Sequence, residues 1–335
     1  MLKKILAFTG LSFLLVFTAS AQDTLKISDT ASDAVKNVLK PKAAINPYAP
    51  TIAENALLWS ISGKELKDTS YLYGTIHMIE RKDFIMTDYT TAAFNKSGQV
   101  AFEIDMNRMN DFSVIFSLLG QVMMKDGITL DKLLSAEDYK IVKNHFETMG
   151  LPMFMLRKVK PLFLSTMASG DMMGGGDPSD STSADIVSYE MEFMDMAKSQ
   201  EKKIFGLETI EYQMSVFDSI PYQDQANMLM ESLKAETSGS NEFDFMVELY
   251  KNQDIVGMQT MFKEDEEGIG KFEDVFLKNR NENWIPVIED MMKQKPTFFA
   301  VGAGHLGGDI GVIALLRKAG YSVEPIRGSV EVDRP

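Results

Sequence analysis

Cysteine is absent from all 335 residues of the chain. Disulfides, thiolate metal sites and a cysteine nucleophile are therefore excluded, and the stability of the protein must come from a packed core. A lipid anchor linked through a cysteine near the N-terminus is excluded on the same ground. Histidine is nearly as scarce, with three in the chain. Each histidine is therefore a candidate for a catalytic or metal-binding role.

Long apolar runs are also rare. An uncharged apolar run over 5–17 follows Lys3 and Lys4, and the small-x-small pattern Ala19-Ser20-Ala21 comes after it. This order is typical of a secretory signal peptide. The run is too short to cross a hydrocarbon core of roughly 30 Å, and no other run of spanning length follows. We expect residues 1–21 to be a signal peptide, with an uncleaved anchor as the alternative, and the mature chain to be periplasmic or secreted and not membrane-spanning.

The organisation and charge of the remaining chain narrow the classes of partner. Residues 22–50 are polar and contain three prolines, which indicates a tether, so we expect the folded domain at 51–335. The net charge of −14 disfavours nucleic acid as a partner. Acidic residues are spread along the chain, which is more typical of a solubilising surface. Oligomeric state is not predicted by the sequence.

Short apolar segments alternate with longer helix-like stretches, a pattern that predicts an α/β fold. We expect a single mixed sheet with long helical insertions. A parallel crossover is predicted between the strands at 70–73 and 99–104, and another buried strand is predicted to end at Glu208. The helical stretches are expected at 111–160 and 212–292, among others. The strands are predicted at 57–62, 70–73, 99–104, 203–208, 296–301 and 321–326.

Two Gly-x-x-His turns are the sharpest signal. One runs from Gly74 to His77 and the other from Gly302 to His305, each at the C-terminal end of a predicted strand. Ligands of open α/β sheets bind outside the carboxyl ends of strands, and glycine lets the backbone turn sharply or approach a ligand closely. We therefore expect both imidazoles to face one crevice. The third histidine, His145, lies in a helical stretch and is expected at the surface or its boundary.

Two acids, Glu103 and Glu208, stand near the ends of apolar strands. A buried carboxylate is costly unless it is paired or coordinates a cation. Imidazole is both a ligand for transition metals and a general base near pH 7. Two histidines and Glu103 with an open position would activate a water molecule for hydrolysis, with Glu208 as the reserve acid. Histidines that only hydrogen-bond a loop are the alternative.

Four segments together resemble the TraB/GumN family, which includes the Tiki metalloproteases and the pheromone-shutdown proteins. The resemblance covers about 57–326. It implies an α/β fold with helical insertions and, for the Tiki branch, a peptidase that depends on a divalent cation such as manganese or cobalt. The segments are Tyr71-Leu72-Tyr73-Gly74-Thr75-Ile76-His77-Met78, Phe205-Gly206-Leu207-Glu208-Thr209, Asn279-Arg280-Asn281 with Trp284, and Val301-Gly302-Ala303-Gly304-His305-Leu306.

Carried over residue by residue, the resemblance implies that His77, His305 and Glu103 hold the cation and form the catalytic site. Glu103 would be a ligand or the general base, and Arg280 would face the site and orient substrate. A helix-surface arginine is the alternative for Arg280. One position departs from the expected pattern, because Glu190 stands where an aspartate is expected, which leaves its role open.

The sequence thus predicts an exported, metal-dependent peptidase acting on peptides or proteins. Two alternatives stay open: a non-catalytic binder that sequesters a peptide or pheromone, and a metal-free, esterase-like hydrolase that uses His and Glu.

The Gly-rich loop at 170–183 is expected to be mobile and to overhang the pocket. The methionines are expected mainly in the core. The alternative is that they line an apolar groove that binds peptides. They include Met123-Met124, Met153, Met155, Met172-Met173 and Met291-Met292.

Overall fold

The structure is a computed structural model that describes residues 46–110, 118, 120–168, 186–238, 242–265 and 268–327. The expected signal peptide, the tether up to residue 45 and the loop at 170–183 lie outside the described residues. Within the described ranges, no helix is long and apolar enough to cross a membrane.

The chain has the α/β architecture that the sequence predicted, with one six-stranded mixed sheet of order β6-β4-β7-β2-β1-β8. A second, two-stranded sheet pairs β3 with β5. The strands are β1 (Leu58–Ser62), β2 (Ser70–Thr75), β3 (Ile79–Glu80), β4 (Gln99–Ile104), β5 (Ile186–Val187), β6 (Lys203–Glu208), β7 (Thr297–Gly302) and β8 (Ser322–Ile326).

Helices connect the strands and cover the sheet. The two long stretches predicted to be helical are each divided into several helices, with breaks among the described residues at Gly150, where φ is +77°, and after Glu264. The α-helices are α1 (Asp88–Lys96), α2 (Leu130–Leu133), α3 (Ala136–Thr148), α4 (Met153–Leu156), α5 (Pro161–Ala168), α6 (Tyr189–Ser199), α7 (Ile210–Val216), α8 (Tyr222–Ser238), α9 (Glu242–Lys251), α10 (Ile255–Glu264), α11 (Asn279–Gln294) and α12 (Val312–Lys318).

The centre of the sheet is parallel. β7 pairs in parallel with β2 on one side and with β4 on the other, and β4 pairs in parallel with β6. All residues of β2 and β4 and nearly all of β7 are buried, as expected for parallel strands covered on both faces. The predicted crossover from β2 through α1 to β4 is confirmed, and β7 occupies the place between these two strands.

Aromatic side chains hold α1 and α6 on one face of the sheet. The rings of Tyr73, Phe94, Phe193 and Phe298 contact one another with centroid separations of 4.9 to 6.1 Å. Each such pair adds about 0.5–1.5 kcal/mol beyond the burial of its area. This cluster fixes α6, whose first turn reaches the carboxyl end of β2.

Two sequence expectations about burial are wrong. The strand that ends at Glu208 is not buried throughout, because β6 is an edge strand with β4 as its partner; Lys203 is exposed and Phe205 is 37% exposed. The core assignment fails for Met123 and Met155, which are exposed, although Met124, Met153, Met291 and Met292 are buried as expected.

The parallel pairing places four strand ends on one edge of the sheet. In spatial order they belong to β6, β4, β7 and β2, and they carry Glu208, Glu103, Gly302 and Thr75. Two acid-bearing strands thus lie beside the two strands that enter Gly-x-x-His turns. The candidate site forms at this edge.

Candidate active site

A pocket of about 830 Å³, counting the space open to solvent at its mouth, lies at the carboxyl ends of these strands. Four residues expected at the site, which are far apart in sequence, all line it: His77, Glu103, Arg280 and His305. The structure therefore brings the residues predicted from the sequence together at the carboxyl ends of the strands.

Gly74 allows the two Gly-x-x-His turns to pack against each other. A Cβ at this position would lie 2.6 Å from Leu306 Cδ1 and 3.1 Å from Ala303 Cα. No side chain fits there without moving the second turn. The close approach of the backbones is what brings His77 and His305 into one pocket.

Gly302 lies at the point where three functional side chains converge. A Cβ on it would be 3.2 Å from Glu103 Oε1, 3.7 Å from His305 Cδ2 and 3.9 Å from His77 Nε2. The Gly302 N–H donates to Glu103 Oε1 at 2.9 Å. Glycine thus keeps open the space between the imidazoles and the carboxylate that a reacting group would need.

His77 is held by Glu190, the residue found in place of the expected aspartate. His77 Nδ1 lies 2.8 Å from Glu190 Oε1, and the carboxylate also accepts from the hydroxyls of Thr75 and Ser188 at 2.5 and 3.0 Å. Burial alone would raise the pKa of Glu190, but the electrostatic interaction and hydrogen bond with His77 and the hydroxyl of Thr75 hold it below its ordinary value. With Nδ1–H donated to Glu190, His77 carries its lone pair on Nε2, the atom that lies beside Gly302.

Arg280 is buried, so its interpretation as a helix-surface arginine is wrong. Its Nη2 donates to Glu103 Oε2 at 2.6 Å and to Glu208 Oε1 at 2.7 Å, and its Nε donates to Glu208 at 3.0 Å. Its Nη1 lies 3.2 Å from the carbonyl oxygen of Phe276 and 3.1 Å from His305 Nε2. Arg280 thus joins both candidate acids to one of the two motif histidines.

The two acids respond oppositely to this environment. Burial raises the pKa of Glu103, but Arg280 and then the two imidazoles outweigh it and lower the pKa to about 2. For Glu208 burial is the larger effect, and the pKa stays above its ordinary value despite Arg280. Glu103 is therefore the carboxylate that stays ionised most firmly, and it accepts a further hydrogen bond from Gln213 at 3.2 Å.

His305 is neutral near pH 7. Burial, and then the charge of Arg280, lower its pKa to about 3. Its Nδ1 lies 2.6 Å from Asn281 Oδ1, an acceptor, so this nitrogen carries the proton and Nε2 accepts from Arg280. Its ring packs on Trp284, with centroids 4.4 Å apart, and the Trp284 indole N–H donates to Glu208 Oε2 at 2.9 Å.

The donor set expected for a divalent cation is present, but its arrangement does not fit one. His305 Nε2 and Glu103 Oε1 are 3.8 Å apart, a separation that common ligation of an ion allows. The positively charged Arg280, however, already donates hydrogen bonds to His305 Nε2 and Glu103 Oε2. Among the described residues, no group of three His, Cys, Asp or Glu side chains is placed to hold an ion.

The remaining lining of the pocket, its apolar wall, comes mainly from α9, α10 and the segment before α11. Sequence reasoning did not single out its residues, because a methionine on a helix is as typical of a core as of a pocket. The wall comprises Ile76, Met246, Met258, Met261, Phe262, Phe276, Leu277 and Ala303.

Several polar partners at the site were also missed. Sequence reasoning found no partner for Glu190, and it found no role for Asn281 and Trp284 although both belong to a family motif. Gln213 carried no signal. One helix, α11, supplies Arg280, Asn281 and Trp284, and the four-residue spacing of Arg280 and Trp284 is the sequence feature that could have predicted a shared face.

Comparison with known proteins gives a family and distant relatives. The model of the TraB/PrgY/gumN family matches residues 57–325. Metalloprotease TIKI1 of Danio rerio is 26% identical over 81% of this chain and 63% of the relative, and metalloprotease TIKI2 of the same organism is 24% identical over 81% and 61%. Metalloprotease TIKI1 of Xenopus tropicalis is 25% identical over 80% and 61%. The chain thus spans less than two thirds of the length of these relatives. No solved structure matches it significantly.

Proposed function

This chain belongs to the TraB/PrgY/gumN family, and we propose that it is an exported hydrolase that cleaves peptide bonds in peptides or proteins. The observation that carries the proposal is the pair of partly exposed His77 and buried Glu190. His77 Nε2, the nitrogen that faces away from Glu190, lies beside Gly302 in an open pocket. Peptides are proposed as substrates because the relatives compared above are named metalloproteases. Export is proposed from the signal-like N-terminal residues.

His77 is suited to act as the general base. Its Nδ1–H is fixed on Glu190, so Nε2 can accept a proton from a water molecule as the water oxygen attacks the substrate carbonyl carbon. The carboxylate of Glu190 stabilises the imidazolium that forms, in the role that the aspartate has in serine protease triads. The carbon–nitrogen bond then breaks, and His77 returns the proton to the leaving amine.

Glu103 is the other candidate base, and its surroundings make it the weaker one. A carboxyl group whose pKa is about 2 takes up a proton poorly near pH 7. Both of its oxygens already accept hydrogen bonds, from Gly302 on one side and from Arg280 and Gln213 on the other. In this proposal Glu103 fixes the backbone at Gly302 and the position of Arg280.

The apolar wall indicates what kind of substrate side chain binds. Ligand sites are commonly apolar with a few placed polar groups, and methionine adapts to the shape of an apolar partner. Met246, Met258 and Met261 line the same pocket as the polar cluster. We therefore propose that a bulky apolar residue next to the cleaved bond occupies this wall.

A divalent cation, manganese or cobalt, is the cofactor that the family resemblance implies, with His77, His305 and Glu103 as its ligands. That donor set does not fit an ion while Arg280 holds two of the three side chains. The roles assigned here to His77, Glu190 and Glu103 accordingly do not depend on a bound ion.

The test is a cleavage screen of the mature protein, residues 22–335, against a peptide library read by mass spectrometry, with and without EDTA and with added Mn²⁺ or Co²⁺. We expect products from the wild type and a loss of at least 10²-fold in His77→Ala. His145→Ala is the matched control, because His145 lies on α3 away from the pocket, and it should cleave normally. Normal turnover in His77→Ala would contradict the proposal. Peptide capture by the wild type without any product would replace the hydrolase by a sequestering binder.

A further inference from the structure

Arg280 satisfies its complete set of hydrogen-bond donors within the site. A guanidinium has five N–H groups. Here Nε donates to Glu208, Nη1 to the Phe276 carbonyl oxygen and His305 Nε2, and Nη2 to Glu103 and Glu208. The side chain is 3% exposed. Arg280 is therefore already bound to two of the three side chains of the candidate metal set, Glu103 and His305.

A metal ion would have to compete with this guanidinium for the same two side chains. An ion held by His305 Nε2 and Glu103 Oε1, which are 3.8 Å apart, would lie about 2.0–2.2 Å from each of them. Arg280 Nη1, however, already lies 3.1 Å from His305 Nε2, and Arg280 Nη2 lies 2.6 Å from the other oxygen of Glu103. The ion and the guanidinium would then be in contact in a buried space, with like charges and little solvent between them. Removing Arg280 instead would break five hydrogen bonds and strand a buried charge.

The hydrogen-bonding requirements of the site also favour the guanidinium. Two carboxylates, Glu103 and Glu208, face one Arg280, and Trp284 adds an uncharged donor to Glu208. The neutral tautomer of His305 needs a donor at Nε2, because Nδ1 already donates to Asn281. A single planar cation meets all of these requirements, since its fork of donors matches a carboxylate edge and an imidazole lone pair.

We propose that Arg280 takes the place of a divalent metal ion between Glu103 and His305, so that the site of this chain is organised by a guanidinium and binds no ion there. Arg280 is then a positioning residue, because its donors are used within the protein and it acts on substrate through Glu103 and His305. The inference takes the location of the site from the proposed function, but it does not depend on which bond is cleaved.

The test measures Co²⁺ binding and not turnover, so its failure leaves the proposed function standing. The mature protein is stripped with EDTA, dialysed, and titrated with CoCl₂ while the visible absorption and the heat of binding are recorded. The wild type should show no binding that involves His305. Arg280→Met has nearly the same length without charge and uncovers Glu103, Glu208 and His305, so its affinity for Co²⁺ should rise at least tenfold.

The control is Arg317→Met, which removes another arginine that is paired with a glutamate, Glu54, at 2.7 Å but lies outside the pocket. It should leave Co²⁺ binding at the wild-type level. Because Arg280→Met leaves two carboxylates without their cation and could fail to fold, Arg280→Lys is the second variant. Lysine keeps the charge but cannot reach both carboxylates and His305 at once, so its Co²⁺ affinity should lie between the other two.

Two results would overturn the inference. One is a wild type that binds one Co²⁺ per chain at micromolar concentration and loses it in His305→Ala. The other is folded Arg280→Met or Arg280→Lys protein with no gain in Co²⁺ affinity, since uncovering the donors would then not have produced an ion site.

Discussion

The buried, neutral state of His305 predicts a specific loss of stability in mild acid. Folding lowers its pKa from 6.5 to about 3, first through burial and then through Arg280. The unfolded chain therefore takes up a proton near pH 6.5 that the folded chain does not. The stability due to His305 is fully present above pH 6.5 and is lost as the pH falls towards 3. At about 1.4 kcal/mol per unit, the loss is about 2 kcal/mol at pH 5.

Urea unfolding of the mature protein at pH 7.5 and pH 5 measures this loss, with His305→Gln as the variant. The free energy of unfolding should fall by about 2 kcal/mol less in the variant than in the wild type between the two pH values. Glu103 contributes little to the difference, because its carboxyl has a pKa of 4.5 when unfolded and about 2 when folded, both below pH 5, and it is present in both proteins. His145→Gln should behave like the wild type. An equal pH dependence in wild type and His305→Gln would refute the reasoning.

Three further predictions concern single contacts of the site. Met258→Lys should raise KM for peptides with a bulky apolar residue by at least tenfold, while Met155→Lys on the exposed surface should leave KM unchanged in the same assay. Glu103→Gln should lower the free energy of unfolding in urea by about 3 kcal/mol at pH 7, since folding lowers this pKa to about 2, and the difference should shrink below pH 4.5. Tyr250→Phe removes a hydrogen bond to the carbonyl oxygen of Gly74 and should cost about 1 kcal/mol in the same measurement.

Strand positions were predictable because the strands of the main sheet are short segments that are either mostly apolar, as in β4 and β7, or alternate apolar with polar residues, as in β1. Whether a strand lies at the centre or the edge was not, since neighbours in the sheet are set by pairing between distant segments. β6 shows the difference, because the composition of 203–208 suits a buried strand while its position leaves Phe205 partly exposed. The pairing of β3 with β5 was missed because two residues carry no measurable period.

The convergence of His77, His305 and Glu103 was also predictable, since it follows from where parallel strands end. The partners that set their chemistry were not. Glu190 reaches His77 from the first turn of α6, and Glu208 and Glu103 share Arg280 from α11. Such pairs depend on side-chain directions across elements far apart in sequence, and a single sequence gives no period or spacing from which to infer them.

Two substitutions at Glu190 distinguish the effect of its charge from the effect of its side-chain length. The carboxylate bridges His77 Nδ1 and the hydroxyl of Thr75 at the end of β2, and Ser188, the N-cap of α6, also donates to it. Glu190→Gln removes the charge that would stabilise an imidazolium and should lower kcat by roughly 10²-fold or more with little change in KM. Glu190→Asp keeps the charge but is one methylene shorter, so it cannot hold both partners, and kcat should fall by only about tenfold. Steady-state kinetics on one cleaved peptide measure both variants. If Glu190→Asp lost as much kcat as Glu190→Gln, the charge of Glu190 would not be what supports His77, and a purely geometric role would explain the pair.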